Sequence, residues 1–241
     1  MCFVLTLFRV NDRYPLIVAA NRDESRSRPS TGPHLWPGTP GIWGGRDDVA
    51  GGTWLGVNGA GVLAAITNRV GGRVDPAFPS RGQLCLAALW QPDLSTALAT
   101  IEADLSVRSY NPFNLLCATI QSGSVITWQG KSRPLTPGVH VLTNHGDLDN
   151  LADAAVPRAL ETVGLFDLAT EQLDSLLAAL GGVCSDIREP NPICRPDGDR
   201  GTVSSSIIAL DEHGQIAAYW HADGPPSRQP YHTVDVGPRA S

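Results

Sequence analysis

Apolar and polar positions change period along the chain. Residues 2–9 run apolar or alternate, as do 15–20, with Asn11-Asp12-Arg13-Tyr14-Pro15 joining them. This predicts a β-hairpin. A second hairpin is predicted from 53–57 and 62–67 around Asn58-Gly59-Ala60-Gly61. The period then lengthens. Ser80-Arg81-Gly82-Gln83 resembles a capping box opening a helix toward Trp90. Asp93 can cap a second helix that places Leu94, Leu98, Ile101 and Leu105 on one face. Strands are predicted at 113–120, 125–129 and 139–143, and helices near 153–163 and 171–180. In the latter, Leu173, Leu176, Leu177 and Leu180 form an apolar stripe, with Gly181-Gly182 as the expected stop. A last hairpin takes 203–210 and 215–221. Residues 25–52, rich in Pro, Gly and Ser, read as a long loop of the kind that carries function. The Pro-rich tail from about 224 reads as irregular.

Strands joined by short turns pair antiparallel. Several, such as Leu16-Ile17-Val18-Ala19-Ala20, are apolar on both faces and so call for sheets covered on both sides. The expected class is α+β: an αββα sandwich of two stacked, mainly antiparallel sheets between helix layers, as a single domain over residues 1–241.

Composition narrows the function. The 241 residues are 42% apolar, enough for one sizeable core. A net charge of −6 argues against nucleic acid as the main partner. The apolar run at the start is too short for a signal peptide, and no run is long enough for a transmembrane helix. The expected location is therefore cytoplasmic. Five cysteines without CxxC spacing suit reduced thiols. The six histidines show no zinc spacing, and neither a metal nor a cofactor is expected.

Candidate chemistry begins at Cys2. Read plainly, it is a small apolar residue opening a strand. With Met1 removed, however, its thiol becomes a nucleophile beside its own α-amine, a base with pKa near ~8. Asn21-Arg22-Asp23-Glu24 follows the second strand, and the hairpin brings it back toward Cys2. Arg22 would favour the thiolate and Asp23 would hold the α-ammonium. Asn68 and Asn144 each end an apolar strand as Thr-Asn, where a side-chain N–H could serve an oxyanion. Trp54 reads as core or pocket wall, and Ser204-Ser205-Ser206 lacks a nucleophile elbow.

These residues resemble the NRDE family, also called the transport and Golgi organisation protein 2 family. The resemblance spans Met1-Cys2, Ala20 to Glu24, Arg28-Pro29, Gly51-Gly52-Thr53-Trp54-Leu55-Gly56, Ala65 to Asn68, Ser80-Arg81-Gly82, Tyr110 to Leu115, Leu142 to Asn144 and Gly201-Thr202. That family is similar to N-terminal nucleophile hydrolases acting on linear amides. The resemblance implies Cys2 as nucleophile, Asp23 as its partner, and Asn68 and Asn144 at the tetrahedral intermediate, with Arg22 a weaker match. The implied substrate is a small-molecule amide or acyl compound. Many relatives carry a late Arg within Gly-Thr-Arg, where this chain has Gly201-Thr202-Val203. The resemblance also carries an alternative, a non-catalytic carrier handling haem or lipid on the same scaffold. Haem would then be a ligand, through His34, His145 or His221.

Overall fold

The computed structural model describes residues 2–37 and 41–237. The chain divides into two compact units, one from residues 1–27 with 136–241 and the other from 28–135.

The first unit holds a six-stranded sheet: β1 (Phe3–Phe8), β2 (Leu16–Ser25), β10 (Gly138–Thr143), β11 (Arg200–Leu210), β12 (Ile216–Ala222) and β13 (His232–Thr233). Its order is β10-β1-β2-β11-β12-β13, and every pairing is antiparallel. Alternation places Phe3, Leu5 and Leu7 of β1 on one face. There they pack with Val156 and Ala159 of α3 (Ala155–Val163) and with Leu176, Leu177 and Leu180 of α4 (Leu173–Cys184). Burying each such Leu is worth about 1.5–3 kcal/mol, so this face alone can commit the register.

The second unit holds a seven-stranded antiparallel sheet in sequence order: β3 (Ser30–Leu35), β4 (Trp43–Asp47), β5 (Leu55–Val57), β6 (Leu63–Asn68), β7 (Phe113–Ala118), β8 (Gly123–Thr127) and β9 (Ser132–Pro134). Its core joins Leu84, Cys85 and Leu89 of α1 (Arg81–Leu89), and Ala97 and Ile101 of α2 (Leu94–Val107), to Val62, Ala64, Phe113 and Leu115.

The hairpins and the Asp93 cap form as expected; Asp93 accepts from the Thr96 N–H at 2.8 Å. Four local expectations do not hold. The 25–52 loop contains β3 and β4. The first is largely exposed, carries Pro33, and is interrupted between Thr31 and His34, so it shows no apolar alternation. The Ser80 capping box does not form, because the Gln83 side chain reaches instead to the Ala50 carbonyl at 2.6 Å. Helix α4 runs through Gly181-Gly182 to Cys184. A Cβ on Gly181 would lie 3.2 Å from the Tyr231 ring, so this glycine admits the tail rather than ending the helix. The tail itself adds β13, and the Tyr231 hydroxyl meets Ser205 Oγ at 2.6 Å.

Gly52 and Gly82 explain two sequence motifs with one contact. A Cβ on Gly52 would sit 2.4 Å from the Gly82 carbonyl carbon, and the Thr53 N–H donates to the Gly82 oxygen at 3.1 Å. Backbone meets backbone where α1 begins.

Candidate active site

Ladder register sets the site. The last pairs of β1 are Phe3–Asn21 on one side and Phe3–Thr143 on the other. One step further along the three strands stand Cys2, Arg22 and Asn144. The Cys2 nitrogen donates to Asn144 Oδ1 at 2.6 Å, and Cys2 Sγ lies 3.8 Å from the Asp23 carbonyl oxygen. Asn144 therefore holds the cysteine nitrogen through its oxygen, which leaves Nδ2 as its donor end. The turn beyond β10 is fixed by Thr143, whose hydroxyl donates to Asp153 Oδ2 at 2.7 Å and accepts from the His145 N–H at 3.1 Å.

Asn21 to Glu24 do not leave the sheet, as the sequence had suggested. They lie within β2, because β11 is eleven residues long and pairs with β2 from Leu16–Leu210 to Ser25–Arg200. The ladder carries a bulge between Thr202 and Ser204. Asn21, Arg22 and Asp23 are consequently buried.

Each residue of the motif has its own task. Asn21 Nδ2 donates to the carbonyls of Cys184 at 2.8 Å and Ile193 at 3.0 Å, pinning the 185–199 segment to the sheet. Asp23 Oδ1 accepts from the Thr202 hydroxyl at 2.8 Å. Burial raises the Asp23 pKa above the usual carboxylate value, opposed first by the positive charge of the chain's amino terminus and then by the Thr202 bond and the charge of Arg195. Glu24 pairs with Arg200 at 3.0 Å. Arg200 is thereby occupied by Glu24.

Of the five cysteines, only Cys2 is not buried. Burial pushes the thiols of Cys117 and Cys184 up to about 12 and that of Cys85 well above its ordinary value. These are core thiols kept neutral.

The structure thus brings Cys2, Arg22, Asp23 and Asn144 together in one unit. Asn68 belongs to the other unit, where it ends β6 opposite Phe113. The sequence reading missed the roles of Asn21 and Thr202. Their links span 163 to 179 residues, and no local pattern announces them. Among the described residues no cluster of His, Cys, Asp or Glu could hold a metal, and no helix is long and apolar enough to cross a membrane.

Comparison with known proteins adds two findings. A family model described as transport and Golgi organisation 2 matches residues 1–162. The transport and Golgi organization protein 2 homolog of Bos taurus is 28% identical over 234 residues, covering 84% of each chain. Among solved structures, penicillin V acylase from Agrobacterium tumefaciens superposes with a TM-score of 0.62 at 14% identity, over 99% of this chain and 89% of that one. An N-acylethanolamine-hydrolyzing acid amidase ortholog from Caenorhabditis elegans gives 0.59 at 13% identity, over 89% and 94%. At such identities the likeness shows the fold: the α+β, two-sheet, four-helix class of the N-terminal nucleophile hydrolases, as expected.

Proposed function

We propose that this chain, which belongs to the transport and Golgi organisation 2 family, is an N-terminal cysteine amidohydrolase acting on a linear amide of a small molecule once Met1 is removed. One observation carries the reading. At the meeting of three strands the nitrogen of Cys2 is held by the half-buried Asn144 side chain, and its sulfur lies against the backbone carbonyl of buried Asp23. A cysteine that merely opened a strand would need neither.

In the proposed reaction the Cys2 sulfur adds to the amide carbonyl while its proton passes to the free α-amine. Asn144 Oδ1 orients that amine, and the Asp23 carboxylate stabilises the ammonium formed. Asn144 Nδ2 is the donor offered to the developing oxyanion. Collapse breaks the C–N bond, and the ammonium returns its proton to the leaving amine. The thioester left on Cys2 is then cleaved by water, releasing the acid. Arg22, buried next to Asp23 on β2, supplies positive charge that favours thiolate over thiol. Penicillin V acylase and the acid amidase, which share the fold, are named for cleaving acyl–nitrogen bonds.

The test is a pair of proteins, one with free Cys2 and one with a single Gly ahead of it. The free form should hydrolyse short acyl amides, and limiting iodoacetamide should label Cys2 ahead of the four buried cysteines. The extended form should stay folded and lose turnover, since an amide nitrogen accepts no proton near neutral pH. Equal turnover by both forms refutes the mechanism. No turnover by either, with equal haem binding in a parallel titration, replaces it with the carrier reading.

A further inference from the structure

The loop that carries Asn144 is closed at its far end by Asp149. The Asp149 N–H donates to the Val141 carbonyl at 2.9 Å, and its Oδ1 accepts from the Val141 N–H at 2.8 Å. Strand β10 is the edge of its sheet, so Asp149 takes the place of a neighbouring strand at Val141. It does so with φ at 62°, a left-handed conformation that most side chains avoid and aspartate tolerates. Asn150 adds a second tie, its Nδ2 donating to the His145 carbonyl at 2.6 Å.

The other oxygen of Asp149 faces a histidine. His140 is 7% exposed, and its Nδ1 lies 2.9 Å from Asp149 Oδ2. Its Nε2 lies 2.7 Å from the Thr136 carbonyl oxygen. Both oxygens are acceptors: a carbonyl cannot change its role, and a carboxylate accepts at either oxygen. A neutral imidazole has one N–H and one bare lone pair. It would press that lone pair against an oxygen at hydrogen-bond distance, in a buried place where such a mismatch is costly. The imidazolium, with two N–H donors, matches both oxygens, and the charge of Asp149 favours it. On the neighbouring elements, β1 sets neutral Thr6 opposite His140, and α3 packs on the other face of β10 at Val141. The loop's remaining ionisable groups are His145 and Asp147.

We infer that His140 is held as a doubly protonated imidazolium between Thr136 and Asp149, and that it is a positioning residue: through Asp149 it fixes the loop from which Asn144 reaches the Cys2 nitrogen. Thr136 precedes β10 and Asp149 returns to it, so one ring ties the approach of the strand to the loop that leaves it. The charge state follows from the two distances. Only its consequence for turnover rests on the proposed function.

Nitrogen-15 NMR of histidine-labelled protein reads the ring directly, the His140 signals being assigned through bonds to its backbone. At pH 7.5, where a histidine of ordinary pKa near ~6.5 is mostly neutral, both ring nitrogens should carry protons. One bare nitrogen at that pH overturns the inference. Asp149→Asn gives a second case. With its oxygen on the Val141 N–H, the amide presents an N–H to Nδ1, and a neutral ring then satisfies both sides. The imidazolium signature should disappear at the same pH, and its persistence overturns the inference. His140→Gln should quicken exchange of the Asp149 amide by about tenfold, the scale of a weak charge-assisted hydrogen bond. Unchanged exchange overturns the clamp. Should that variant fail to fold, the ring signals of the unaltered protein and of Asp149→Asn decide the matter. In protein with free Cys2, His140→Gln should lower kcat several-fold with KM nearly unchanged, and an unaltered kcat overturns the positioning role. If no form hydrolyses amides yet the ring and the exchange behave as expected, the proposed function fails and the His140 clamp stands.

Discussion

Asn21 opens the family's four-residue motif, yet its geometry makes it a clamp, and Asn21→Ala should show this through stability. The side chain is 2% exposed and gives both amide protons to carbonyls, those of Cys184 and Ile193. Ala removes two donors and strands two acceptors. Each net hydrogen bond is worth about 0.5–1.5 kcal/mol, and each stranded buried acceptor costs about 1–3 kcal/mol. These ranges overlap and do not simply add, so a loss of about 3 kcal/mol is the central expectation. For a chain of this size about 2–4 °C accompanies each kcal/mol, so the unfolding midpoint should fall by about 6–12 °C. The damage should be local first. Amide exchange at Cys194, Arg195 and Thr202 should quicken, because their bonds to Asp186, Thr202 and Arg195 fix the pinned segment. Asn21→Asp should do at least as much harm near neutral pH, since it sets an anionic oxygen against two carbonyl oxygens. Calorimetry with hydrogen exchange by mass spectrometry measures both effects. A midpoint lowered by less than about 2 °C, with exchange unchanged in 185–202, would refute the clamp.

Three further outcomes are expected. Asp23→Asn should leave the unfolding midpoint at pH 7 unchanged or slightly higher while reducing hydrolysis. The folded pKa is raised by burial, so stability falls as pH climbs from the unfolded value of about 3.9 through the folded one, and Asn escapes that fall; a loss of several kcal/mol at pH 7 would contradict this. His221, 2% exposed, is pushed down to about 4 by burial, with Asp223 pulling it up and His232 adding to the depression. The unfolded chain therefore takes up that proton first, and up to about 3 kcal/mol should be lost as pH falls from about 6.5 to 4. Denaturant melts across that range should be flatter in His221→Gln, and an unaltered slope would clear His221 of the effect. Gly52→Ala should cost at least about 2 kcal/mol by driving a Cβ into the Gly82 backbone, and wild-type stability in a chemical melt would rule the contact out as rigid.

Elements with strong periodicity were legible in the sequence: the apolar hairpins, the Asp93 cap and the leucine stripe of α4. Elements decided by distant partners were not. Polar Asn21 to Glu24 resembled an exit, because nothing local shows that β11 is long enough to continue the ladder. β3 and β4 hid within a Pro- and Gly-rich stretch, since an exposed edge strand has no need of alternation. Gly181-Gly182 looked like a stop, but α4 runs through both, and Gly181 proved to be room for Tyr231. That Arg22 and Asp23 lie beside Cys2 was legible because the first hairpin can be counted from the core outward. Thr202 was passed over because a hydrogen bond across most of the chain leaves no trace in spacing.

The bulge at Val203 divides β11 into two independent rulers. From Ser204 to Leu210 the pairing with β2 is dictated by buried apolar residues. From Arg200 to Thr202 it follows a register displaced by one residue. A change that slips the outer ruler need not disturb the inner one. Residues facing Asp23 can therefore be exchanged, inserted or lost over generations while Ile207 and Ala209 stay seated against the helices. Such a joint lets a site drift in chemistry on a sheet that does not move.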